Sequence, residues 1–363
     1  MDFRSTRHSD CKDVPTAERE TGSSLKVISK AERAKGQNTV RVKRVKIMAY
    51  RLRRKKSVQK SIQKIAREQI DRAIAEINDP QLDRHAAVHQ VRKRCKKIRG
   101  LVRLVRPQFE GVYDCENAWY RDAARDLSYV RDAQSIVETF DKLMGHFEDQ
   151  IDREAFSPIR QQLTERRTKV AEDEVGLHER LDEFLDRMHR GRERIAGWQL
   201  RDDGFDAVSG GLTKTYARGR AAMKKAYDRP STESFHEWRK RAKYHWHHMR
   251  LLRRVWEEAM RARRNAADLL SDYLGDDHDL SVLRETLADR PDQFGGKNTI
   301  QAAIGLIDRR QVELRTKAKT LGERLFAERP KRFAARLHRY WQAWRNEVEA
   351  EPQATHEPDL VTV

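Results

Sequence analysis

The sequence predicts an all-α protein, and three observations carry that expectation. Apolar residues recur at helical spacing through most of the chain, and no strand-turn-strand pattern follows residue 57. Nine prolines and seventeen glycines in 363 residues leave little punctuation for short strands. A block of sequence also recurs, without a gap, at an offset of 147 residues. That offset aligns His89 with His236, Arg92-Lys93-Arg94 with Arg239-Lys240-Arg241, Lys96 with Lys243 and Arg103 with Arg250. It continues through Leu127 with Leu274 and Asp132 with Asp279. Two helical halves of common origin are expected, packed about a pseudo-twofold axis.

Residues 1–40 are polar, mixed in charge and without apolar period, the composition of a disordered tail. A basic arm follows over 41–56, its start alternating briefly like an extended segment. From Ser57 the run SVQKSIQKIAREQIDRAIAEI sets Ile62, Ile65, Ile70, Ile74 and Ile77 near helical spacing, with Ser57 as cap. Asn78-Asp79-Pro80 stops that helix, and Asp79 or Asp83 starts the next, over 82–106 before Pro107. Helices are then expected over 116–144, ending at Gly145, and over 155–195, where Leu177, Leu181 and Leu185 mark the apolar stripe. RDDGFDAVSGG (201–211) reads as a hinge between a first half, 57–200, and a second half, 212–348. The second half predicts helices over 212–227, 232–256, 260–287, 298–326 and 330–348, the last opening on Pro330, which suits a helix start. A C-terminal tail, 349–363, completes the chain.

The net charge is +19, and its location is informative. Residues 33–67 hold fourteen Lys/Arg, 84–106 hold nine and 238–256 hold seven, and none of these stretches contains an acid. The other forty-six cations face all fifty-seven acids, a remainder of −11. Segregation of this kind sets up a focused positive field, which a polyanionic partner requires and solubility does not. No apolar run has the length of a membrane span, and the N-terminus lacks an apolar h-region, so membrane insertion and secretion are not expected. Three cysteines without a paired CxxC spacing suit reduced thiols of the cytoplasm.

On a helical wheel His89, Arg92, Lys93, Lys96 and Arg103 form one stripe, opposite Val91, Cys95, Ile98, Val102 and Val105. His236, Arg239, Lys240, Lys243 and Arg250 repeat the stripe, with His247 and Arg254 extending it. Trp238, Ala242, Met249, Leu252 and Trp256 take the packing side, along with His245. An ordinary solvated helix face mixes Glu with Lys, because opposite charges at i,i+4 support the helix and like charges weaken it. Here acids are missing from both copies.

The histidines do not suggest a metal centre. His245, His247 and His248 do not share one helix face, and the neighbouring cations repel a metal ion. LGDDHDL (274–280) invites comparison with His-Asp phosphohydrolases, but the first copy, LSYVRDA (127–133), keeps only the aspartate. Asp132 and Asp279 therefore read as ion-pairing or capping residues at a helix junction. No GxxxxGK[ST], GxSxG or HExxH occurs. A non-enzymatic protein, without metal or cofactor, is expected.

Duplicated helical halves, each with a His-x-x-Arg-Lys helix followed by an L-x-x-x-x-D helix, resemble the CHAD family, the conserved histidine α-helical domains. The resemblance covers about residues 47–348, including YRLRRKKSVQKSIQKIAREQID, GLTKTYARGR, FHEWRKRAKYHW and RLHRYWQAW. It implies a CHAD-like domain over 57–348 with a basic central cavity, binding of inorganic polyphosphate and association with polyphosphate granules. The polyphosphate-binding residues expected are His89, Arg92, Lys93, Lys96 and Arg103 with His236, Arg239, Lys240, Lys243 and Arg250. Arg51, Arg53, Arg54, Lys55 and Lys56 of the arm are candidates, as are Arg67, Lys214, Arg218 and Arg220. Nucleic acid, bound without sequence preference, is the alternative partner.

Overall fold

A computed structural model describes residues 50–172 and 174–347, and among these every regular element is helical. The tail over 1–40, most of the arm and the C-terminal tail lie outside the described residues.

Eleven α-helices follow one another, with short 3-10 turns between some of them. In the first half these are α1 (Val58–Ile77), α2 (Arg84–Leu104), α3 (Tyr113–Asp126), α4 (Ser128–His146), α5 (Ser157–Ala171) and α6 (Glu174–Arg194). In the second they are α7 (Asp206–Asp228), α8 (Thr232–Leu251), α9 (Glu257–Asp289), α10 (Lys297–Leu325) and α11 (Pro330–Asn346). Local chemistry fixes the starts. The Ser57 hydroxyl accepts from the Lys60 amide at 3.2 Å, and Asp83, not Asp79, accepts from the Ala86 amide at 2.8 Å. Ser231 and Ser234 form a reciprocal capping box on α8.

Three expected element boundaries need correction. The helix expected over 116–144 breaks at Leu127, whose side chain is fully buried, into α3 and α4. The helix expected over 155–195 divides into α5 and α6, and Glu172 at the C-cap of α5 opposes the dipole there. Only the first part of the hinge 201–211 is a loop, with Gly204 at a φ of 61°, because α7 begins at Asp206. Gly211 lies inside α7 and serves packing instead. A Cβ there would sit 2.5 Å from the Arg103 carbonyl oxygen and closer still to that of Leu104.

α1 pairs with α2 and α6, and α7 pairs with α8 and α11. α2 also packs against α8 and α7. This arrangement buries Val91, Cys95, Ile98 and Val102 of α2 with Trp238, Ala242 and Met249 of α8 in the main core. A second apolar cluster gathers α4, α5, α9 and α10 around Phe140, Phe147, Leu283, Phe294 and Ile307. The long helices α9 and α10 join the two clusters. Leu270 of α9 and Ala318 of α10 belong to the first, Leu283 and Ile307 to the second.

α2 and α8 cross at Gly100. A Cβ on Gly100 would lie 2.8 Å from the Cβ of His247, a residue that is 4% exposed. His247 therefore does not extend the cationic stripe; it fills the crossing that Gly100 leaves open. His248 Nε2 lies 3.2 Å from the Gly100 carbonyl oxygen, which can only accept, so Nε2 carries the proton. His245 packs among Tyr216, Phe326 and Phe333, on the expected apolar side. Trp256, expected to pack inward, is the N-cap residue of α9 and is 49% exposed.

Two predictions follow from this packing. Gly211→Ala is expected to destabilise the fold by about 2–3 kcal/mol in urea unfolding, because backbone stands where its methyl group must go. Gly305→Ala, within α10 and facing open space, should be neutral or stabilise by up to about 1 kcal/mol. The buried histidines predict acid lability. Burial holds His245 and His247 well below the ordinary imidazole value and His248 down to about 3. Each is neutral when folded and takes up a proton on unfolding below about pH 6.5, so stability is full above that pH and falls below it. Unfolding at pH 5 should cost about 2 kcal/mol less per buried histidine than at pH 7. His248→Gln should reduce that dependence by about one proton.

Candidate polyanion-binding site

Beside the crossing, α2, α3, α7 and α8 enclose a pocket of about 530 Å³. α2 and the turn after it supply Arg99, Arg103 and Arg106; α7 supplies Lys214 and Arg218; α8 supplies Lys240 and Arg241; Arg121 comes from α3. Against these eight cations the lining has one acid, Asp114. Tyr113, Asn117 and Tyr244 complete the polar wall.

Arg103 and Arg106 are held in place by neutral partners, whereas Arg121 pairs with Asp122 at 2.8 Å, Arg241 with Glu237 at 2.7 Å, and Lys240 also with Glu237. The Arg103 guanidinium donates to Asn117 Oδ1 at 3.0 Å and lies 4.0 Å from the centre of the Tyr244 ring. Arg106 stands 6.0 Å from the Tyr113 ring. Nε of Arg103, with Nε and Nη2 of Arg106, is buried and has no hydrogen-bond acceptor among the described residues. Such donors are costly to leave unmet. Burial, then the guanidinium groups of Arg218 and Arg103, holds Arg106 below its ordinary value against the opposing effect of Tyr113. Lys214 is lowered chiefly by Arg106.

Around the crossing the expected stripes meet. Lys96 of α2 feels Arg92 on its own helix and Arg239 and Lys243 on α8. Lys96 is exposed to solvent, although the protein atoms crowding its ammonium penalise the charged form. Burial, then those cations, lowers its pKa to about 8. Lys97, absent from the sequence expectation, falls to about 7 through burial, then Arg94, Arg250, Lys93 and Arg72. Arg92 donates to the Ala124 carbonyl oxygen at 2.9 Å, His89 is half-buried on α2, and Lys93 is exposed. Arg239 lies 3.9 Å from Asp279, and Lys243 lies 3.7 Å from Asp268 and 4.2 Å from the Trp246 ring. Arg250 covers the rings of Trp246 and Tyr50 at 4.6 and 5.4 Å.

Of the expected residues, Arg103, Lys240, Lys214 and Arg218 line the pocket. Arg220 does not; it donates to the Glu328 carbonyl oxygen at 2.9 Å. Among the arm residues, Arg54 pairs with Glu347 at 2.9 Å, and Arg51 neighbours Arg253 and Arg254. Arg53, Lys55, Lys56 and Arg67 lie outside the pocket lining. Sequence reasoning missed Arg99, Arg106, Arg121 and Arg241. Arg99 and Arg106 flank the α2 stripe, whereas Arg241 lies off the α8 stripe and still lines the pocket.

LGDDHDL disperses its polar groups among different neighbours. Asp277 is buried against Arg315 Nε at 2.6 Å, Asp276 lies 3.7 Å from Lys142, and His278 Nδ1 lies 3.2 Å from His236 Nδ1. Among the described residues no three metal-ligating side chains converge. None of the described helices is long and apolar enough to cross a membrane.

Fold and pocket together define an all-helical domain with a strongly cationic concavity. The chain belongs to the CHAD domain family, whose model matches residues 47–288. That match stops at the end of α9, yet α10 and α11 complete the cores that α7 and α9 begin. No curated protein matches the sequence.

The depressed lysines predict pH-dependent anion binding. As pH rises through about 7 and 8, Lys97 and Lys96 lose charge in the empty site, while a bound polyanion favours their charged forms. Affinity for a polyanion should therefore fall between pH 6.5 and 8.5, with Lys97→Arg flattening the lower part of the profile. Titration calorimetry across that range checks this.

Proposed function

We propose that the protein binds inorganic polyphosphate without turning it over, in a basic central cavity shared by two halves of common origin. The observation that carries this reading is the convergence of α2 and α8 cations beside one crossing, where eight cations face a single acid. The recurrence at 147 residues supports the common origin, as do the matching pairings of α1 with α2 and α7 with α8. Polyphosphate presents closely spaced charges and no bases, so fixed guanidinium and ammonium groups suffice to recognise it. His89, Arg92, Lys96, Arg103, Arg239, Lys240, Lys243 and Arg250 would contact phosphate, joined by Arg99, Arg106, Arg121 and Arg241. Such binding would bring the protein to polyphosphate granules in the cytoplasm.

Nucleic acid is the alternative partner, and the aromatic residues weigh against it. Bases bind sequence-independent proteins by stacking on exposed ring faces. Here Arg103 covers Tyr244, and Lys243 and Arg250 cover Trp246. The rings hold cations, which leaves less surface for bases.

Long-chain polyphosphate should bind the protein, compete over an equal charge of RNA, and lose affinity linearly in log salt through counterion release. Arg103→Glu combined with Arg239→Glu should weaken binding by roughly tenfold or more. Equal or better retention of RNA in the same pull-down overturns the reading.

A further inference from the structure

Along the chain the α8 stripe is acid-free only from Trp238 onward, because Glu237 pairs with Lys240 and Arg241. In space, α9 lays carboxylates against it. Asp268 lies 3.7 Å from the Lys243 ammonium, and Asp279 lies 3.9 Å from Arg239. Asp272 is the next acid along the same face of α9, and Lys243 acts on it too. None of these is a tight hydrogen-bonded pair, and Lys243 and Asp268 both remain partly exposed.

The other copy is built with the opposite sign. At the offset of 147 residues, Asp268 and Asp272 correspond to Arg121 and Arg125. Arg121 lines the cationic pocket. At these two positions the halves therefore carry opposite charges, although on α3 Asp122 pairs with both Arg121 and Arg125. Asp268, Asp272 and Asp276 also stand four residues apart, a like-charge row that weakens an isolated helix by a few tenths of a kcal/mol per pair. Burial, then Asp268 and Asp276, pushes the Asp272 carboxyl up against the pull of Lys243.

We infer that Asp268 and Asp272 set the selectivity of the site, occupying Lys243 until a polyanion of high charge density displaces them. This rests on the polyphosphate reading and deepens it. Phosphates joined through a single bridging oxygen can place two charges against Lys243 and Arg239 at once and overcome the carboxylates. In RNA a ribose separates successive phosphates, so fewer charges reach the same spot and the carboxylates repel the strand. Each pair is weak by itself, as partly exposed pairs are. Their effect comes from being set against every ligand that crosses α8.

The test compares the full chain with the double variant Asp268→Asn, Asp272→Asn, measuring affinity for long-chain polyphosphate and for poly-U at equal phosphate concentration. The expected result is a gain for both polymers that is about threefold or more larger for poly-U, so that discrimination narrows. Glu183→Gln with Glu193→Gln removes the same charge from exposed positions on α6 and should leave the ratio unchanged. Equal discrimination by the wild type and the aspartate variant overturns this inference alone, as does an equal shift in the α6 variant. A wild type that holds neither polymer, or both alike, removes the polyphosphate reading and this inference together.

Discussion

The close crossing of α2 and α8 at Gly100 is the constraint on which the rest of the site depends. With no side chain on Gly100, His247 fits into the contact, and His248 donates to the carbonyl oxygen exposed there. Two helices carrying stripes of the same charge repel one another, so they need a tight and mostly neutral contact to lie side by side. Burial supplies both conditions, because histidines enclosed in this way stay neutral at ordinary pH. The same crossing brings Lys96 under the influence of Arg239 and Lys243.

Concentrated charge is then held by three kinds of neighbour. Apolar undersides, Val91 to Val102 on α2 and Trp238 to Met249 on α8, anchor each helix in the main core. Aromatic rings and amides such as Tyr244, Trp246 and Asn117 orient individual cations without cancelling them. Carboxylates partly cancel others: Asp268 and Asp279 of α9 beside Lys243 and Arg239, Glu237 beside Lys240 and Arg241, and Asp122 beside Arg121. Cations gather most closely around the pocket, where eight of them and Asp114 form the lining.

Much of the fold was legible because its signals are local. Ser57, Asp83 and Pro330 sit where helix-start chemistry places them, and the α1 isoleucines follow the period of the helix they form. The errors arose where local signals compete with distant packing. Gly210 and Gly211 look like hinge residues, but they lie within α7, where Gly211 lets the helix approach the end of α2. Leu127 looks like one more apolar helical position, yet the core holds it at a bend between α3 and α4.

The sequence by itself determined the all-helical class, the internal recurrence and the two cationic stripes, because each depends on residue types at fixed spacing along one chain. Only the tertiary structure decided what each stripe faces. A wheel placed His247 among the cations; the approach of Gly100 turned it into a buried wedge. Arg241, outside the stripe on a wheel, lines the pocket all the same. The basic stretches contain no acids, yet α9, whose carboxylates lie more than twenty residues away along the chain, sets them beside Lys243 and Arg239. Sequence spacing fixes which face of a helix is charged, and the packing of other helices fixes which charges that face meets.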